Sequence, residues 1–150
     1  MENLKPELDQ INLIARDFKR SLEFYRRLGI EIPEPIPGED GKPFHVNGET
    51  ANGLAFELDS SAFAKVWNPS WAAQGDLSGR LVLGFGVSDR ADVDRLYRKL
   101  TEAGYPGLNP PHDAFWGARY AIVEDPDGIA VGLMSPIDPA MRSPTPKGWP

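Results

Sequence analysis

Two histidines, His45 and His112, and no cysteine set the first bound on chemistry. Without a thiol there is no disulfide framework, no thiolate nucleophile and no Cys-ligated metal. Neither histidine belongs to a paired-histidine metal motif, and no Gly-rich phosphate loop or nucleophile elbow is present. Each reads as a structural or exposed side chain rather than a catalyst. Gly84 and Gly86 form GFG inside an apolar run, a pattern suited to close packing or strand curvature.

The aromatic residues say more. Phe44, Phe56, Trp67, Trp71, Phe115 and Trp116 offer flat surfaces for stacking on an organic ligand. Trp67 and Trp71 are four residues apart, so a helical segment places them on one face, either toward a ligand or between packed modules. Phe115–Trp116 follows the NPPHDA stretch and precedes GARYAIV, a position beside a loop that suits a ligand contact, a lid or a hydrophobic plug. Arg119 opens the next strand. It suits a carboxylate or other acceptor on a ligand, or pairing with Glu57 or another acidic group.

The 150 residues that must position these groups suffice for one compact domain or two small halves, and 41% hydrophobic content is globular. A net charge of -6 argues against a nucleic-acid backbone binder. The charged opening MENLKPELDQ lacks a secretory signal's apolar stretch, and no run is long enough to cross a bilayer. The expectation is a cytoplasmic protein with no membrane partner.

Along the chain, Asp9 to Ala15 alternates as a strand, with Gln10, Asn12 and Ile14 sharing one face. Asp17 is placed to cap a helix carrying Phe18, Leu22, Tyr25 and Leu28, which Gly29 stops. The proline-rich stretch after Ile30 suits an edge strand and a hairpin turning at Glu39 to Gly41. Gly53 to Leu58 forms a strand, and Ser60 to Ser78 a short helix plus loop. Arg80 to Val87 resumes strand character, and Asp89 caps a second helix that Gly104 stops. PGLNPPHDAFWG reads as a loop, followed by strands at Ala118–Val123 and Ile129–Met134 around a DPDG turn.

The halves repeat one another. Leu13, Asp17, Tyr25, Arg26 and Leu28 match Phe85, Asp89, Tyr97, Arg98 and Leu100 at a constant offset of 72. The expected fold is α+β: two βαβββ modules, approximately 7–59 and 79–134, with linker 60–78 and a proline-rich tail 135–150, all in one domain.

INLIARDFKRSLEFYRRLG, LGFGVSDRADVDRLYRKLTEAG and WGARYAIVEDPDG, in that order, make the chain resemble the vicinal-oxygen-chelate superfamily of glyoxalases, extradiol dioxygenases and bleomycin-type resistance proteins. The resemblance implies curved mixed sheets around a ligand cavity, often completed by a homodimer. It puts Gln10 and Glu57 at two metal-ligand positions, and the non-ligating Val82 and Gly132 at the other two. Glu57 is also the one evident general base at such a site.

That departure leads to the expectation of no metal and no cofactor. The expected function is metal-independent binding of a small aromatic or amphipathic compound, in the manner of a resistance protein. Its ligand-binding residues are Gln10, Phe44, Phe56, Glu57, Trp67, Trp71, Phe115, Trp116 and Arg119. The alternative is a glyoxalase-like or dioxygenase-like metalloenzyme with a degenerate metal site.

Overall fold

The computed structural model describes residues 7–73, 75 and 77–148. The chain divides into two compact units, Met1–Gln74 and Gly75–Pro150. The first unit runs β1 (Gln10–Ile14), α1 (Phe18–Arg27), β2 (Ile36–Pro37), β3 (Pro43–Glu49), β4 (Ala55–Asp59) and α2 (Ser61–Trp67). The second runs β5 (Val82–Gly86), α3 (Arg90–Glu102), β6 (Gly107–Asp113), β7 (Arg119–Glu124) and β8 (Ala130–Met134), then a 3-10 turn at Pro139–Met141. Both follow the βαβββ order.

Each unit holds one open mixed sheet, β1-β4-β3-β2 and β5-β8-β7-β6. The first strand of each lies parallel to the last, and the remaining pairings are antiparallel. Neither sheet closes on itself, so the expected wall around a cavity is not formed by either sheet alone. No helix among the described residues is long and apolar enough to cross a membrane.

The repeat extends to the helix ends. The Asp17 side chain accepts a hydrogen bond from the Arg20 amide, and Asp89 does the same for Asp92. At the other end Ile30 N donates to Tyr25 O, and Tyr105 N to Leu100 O, with Gly29 and Gly104 at φ 87° and 98°. These are two Schellman closures, which need a residue tolerant of positive φ. Residues 10–14 plus the offset of 72 give 82–86, so β1 and β5 obey the same register as the helices.

In the first unit, β4 alternates. Phe56 and Leu58 face α1, where Phe24 and Tyr25 are fully buried and the Tyr25 ring lies 4.7 Å from that of Phe56. Burying such an aromatic side chain stabilises by about 2–3 kcal/mol. The other face of β4 carries Ala55, Glu57 and Asp59.

One element departs from the sequence expectation. The stretch expected to be wholly loop contains β6, paired with β7. Pro110 and Pro111 are tolerated there because β6 is the sheet edge and its register shifts on both sides of Asn109. A proline that need not donate to the ladder costs an edge strand little.

Candidate metal centre

The polar face of the first sheet is built by register. Asn12 pairs with Glu57 across β1 and β4, and His45 pairs with Asp59 across β3 and β4. Glu57 and Asp59 are two apart on one strand, so both carboxyls leave the same side. His45, Glu57 and Asp59 each bring one ligand atom within 4.8 Å of the others.

The groups are tied together as well as adjacent. Asp59 is fully buried and faces His45 Nδ1 at 2.6 Å. Asn12 Nδ2 donates to Glu57 Oε2 and to Asp59 Oδ2, both at 3.1 Å. Gln10 Nε2 donates in turn to Asn12 Oδ1. Phe63 of α2 stacks beside the imidazole, with ring centroids 4.4 Å apart. A neutral imidazole that donates from Nδ1 keeps its lone pair on Nε2.

The second unit lacks every one of these donors. The counterparts of Gln10 and Asn12 by the offset of 72 are Val82 and Gly84. Position by position along the paired strands, Glu57 corresponds to Gly132, Asp59 to Met134 and His45 to Tyr120. A side chain on Gly132 would meet the Tyr120 hydroxyl at 2.6 Å, so the tyrosine lies over the glycine where the first unit carries an acid.

The expected site residues separate into groups. Glu57 stands in the cluster, and Gln10 reaches it through Asn12; the residue in register with Glu57 is Asn12, while Gln10 pairs with Ala55. Phe56 is a core residue on the opposite face. Phe44 packs against Phe63 at 4.9 Å. Trp67 and Trp71 do not share a helix face, because α2 ends at Trp67 and Asn68 leaves the helical region before Pro69. Trp67 is 46% exposed, and the Lys65 ammonium sits 6.0 Å from the Trp71 ring centre.

In the second unit, Trp116 packs edge-on to Phe115 at 5.2 Å and Tyr120 at 5.4 Å, and His112 lies 6.0 Å beyond Tyr120. Arg119 is held by acids. Its guanidinium bonds Asp94 at 2.7 and 3.1 Å and Asp113 at 3.2 Å, so its acidic partners are these and not Glu57. The hydrogen bond from Arg119 holds the Asp94 carboxyl below its ordinary range and raises the guanidinium's own. Asp113 is lowered chiefly by its bond from Arg90. A hollow of about 320 Å³ in the first unit is lined by residues including Lys19, Leu22, Arg26, Glu34 and Pro43, none of them in the cluster.

Sequence reasoning did not reach Asn12, His45 or Asp59 as one site with Glu57. The available signal was the Glu57–Asp59 spacing, two acids on one face of a strand. His45 enters through an antiparallel register that spacing alone does not reveal.

Residues 7–133 match the model of the Glyoxalase/Bleomycin resistance protein/Dioxygenase superfamily. The chain belongs to that superfamily, whose members serve either as ligand binders or as metal-dependent catalysts. It is 36% identical to Bacillus subtilis (strain 168) YraH over 81% of this chain and 91% of that protein. Among solved structures it resembles a glyoxalase-related enzyme from Fulvimarina pelagi, at TM-score 0.71 and 21% identity, covering 87% of this chain and 88% of that one. It also resembles a lactoylglutathione lyase from Agrobacterium tumefaciens, at TM-score 0.63 and 19% identity, covering 89% and 96%.

Proposed function

We propose that this chain is a metal-dependent enzyme of the glyoxalase type, holding a divalent cation on the first unit through His45, Glu57 and Asp59. The observation that carries the reading is the convergence of those three ligand atoms within 4.8 Å on one sheet face. This replaces the expectation of metal independence, which rested on Val82 and Gly132 and set His45 aside as lying off the matching ligand positions. Two carboxyls beside one imidazole suit borderline divalent ions such as Mn²⁺, Ni²⁺ or Zn²⁺. Three protein ligands leave positions open to water or substrate.

A bound cation supplies a Lewis acid for a substrate oxygen. The chain's own residues do the positioning. Asp59, with no exposure, lies 2.6 Å from His45 Nδ1, a contact that a cation shared by the two would replace, and Phe63 packs beside the ring. Gln10, exposed beside Asn12, is placed to hydrogen-bond an oxygen-bearing ligand. Metal content after purification without chelator tests the reading, together with turnover in a lactoylglutathione lyase assay. Near-stoichiometric metal, lost with turnover in His45→Ala and Glu57→Gln, is expected; a chain free of Mn, Fe, Ni and Zn contradicts it.

A second reading, metal-free sequestration of an aromatic compound, is favoured by the half-exposed Phe115–Trp116–Tyr120 row. Quenching of tryptophan fluorescence by a flat aromatic compound, lost in Trp116→Ala, is its test. Homodimerisation and a cytoplasmic location belong to the proposal under either reading.

A further inference from the structure

The Asn12 amide stands in an unusual relation to the two acids. Its nitrogen is 3.1 Å from Glu57 Oε2 and 3.1 Å from Asp59 Oδ2. Carboxylate oxygens accept and do not donate, so the NH₂ end of the amide must face them. The carbonyl end then faces Gln10, whose own NH₂ donates to it. One neutral group, oriented by a second, thus bonds an oxygen of each of two acids that could hold a cation.

Resting on the metal-dependent reading above, we infer that Asn12 is a placeholder for the cation: its amide holds the acid pair in the metal-free protein and competes with metal for it. A cation held by Glu57 Oε2 and Asp59 Oδ2 would take the place of the N–H groups that Asn12 directs at those oxygens. Metal entry therefore requires Asn12 to give up two hydrogen bonds, and the affinity of the site is lowered by what those bonds contribute. Gln10 strengthens the competitor by pinning the amide with its NH₂ end toward the acids. Asn12 and Gln10 are positioning residues here, not ligands.

The inference predicts a direction opposite to that of ordinary damage. Replacing Asn12 by leucine keeps its approximate size and removes both donors. The metal-free protein loses stability, while Mn²⁺ binds more tightly. Removing hydrogen bonds of this kind is expected to tighten binding about tenfold, the equivalent of about 1.4 kcal/mol. Gln10→Ala, at an exposed position where folding is not at stake, should tighten it about two- to threefold.

The experiment is calorimetric titration of chelator-stripped full-length protein with Mn²⁺ alone, for wild type, Asn12→Leu and Gln10→Ala. Thermal denaturation in EDTA and in Mn²⁺ accompanies it. Tighter binding in both variants, with a larger thermal gain from Mn²⁺ than in wild type, supports the inference. Unchanged or weaker binding in both overturns it while leaving the metal-dependent function standing. Should Asn12→Leu fail to fold, Gln10→Ala decides alone. If wild type takes up no Mn²⁺, binding that appears in the variants supports the inference and none in either overturns it, while the functional reading is judged separately by the metal content of the protein as purified.

Discussion

Asp59 and Glu57 are predicted to be equal for metal and unequal for stability. Asp59 is fully buried and accepts from both His45 Nδ1, at 2.6 Å, and Asn12 Nδ2. Asp59→Ala leaves Asn12 a remaining acceptor in Glu57 but strips the imidazole, whose side chain is 13% exposed, of its partner. An orphaned buried donor formerly bonded to a carboxylate costs about 2–3 kcal/mol. For a chain of this size that lowers the melting temperature by about 5–10 °C. Glu57 is half-buried and accepts from Asn12, which keeps Asp59 when Glu57 is lost. Glu57→Ala should therefore cost no more than about 1 kcal/mol. Circular-dichroism melts in EDTA, beside metal titrations of the same samples, separate the two effects. Equal melting temperatures for the two variants would refute the reasoning, because they would mean that the His45–Asp59 contact does not hold the buried end of the cluster.

Three further outcomes are expected. The folded-state value of Asp94 lies below its ordinary 3.8, so its pairing with Arg119 stabilises fully above that value and is lost as pH falls through the lowered one; the stability gap between wild type and Asp94→Asn should be constant near neutrality and vanish in strong acid, as followed by urea titration at each pH. Gly48→Ala should destabilise by about 1–3 kcal/mol in the same assay, because its new carbon would lie 2.8 Å from the Phe56 carbonyl oxygen and push β3 off β4. Sedimentation equilibrium at low micromolar concentration should return twice the chain mass, and a persistent single-chain mass would remove the homodimer from the proposal.

The repeat, the capped helices and the strand–helix–strands order were legible because their signals are local. Asp17 and Asp89 announce helix starts, Gly29 and Gly104 announce ends, and the offset of 72 links them. β6 was hidden because its prolines are admissible only on an edge, and edges are a property of the assembled sheet. The cluster was half legible for a related reason. Glu57 was found through resemblance, but Asp59 lies one residue beyond the strand as read from GLAFEL, and His45 joins only once β3 pairs with β4. The resemblance also drew attention to the depleted positions of the second unit, Val82 and Gly132, and away from donors within the first. Arg119 could be given an acidic partner from its type, but not the identity of Asp94, which arrives by the packing of α3 against β7.

The central claim is that His45, Glu57 and Asp59 hold one divalent cation. Titration of chelator-stripped protein with Co²⁺, read by visible d–d absorption, tests it most directly. The account predicts saturation at one equivalent per chain and loss of binding in both His45→Ala and Glu57→Gln. A featureless titration, or a spectrum indifferent to all three residues, would contradict it.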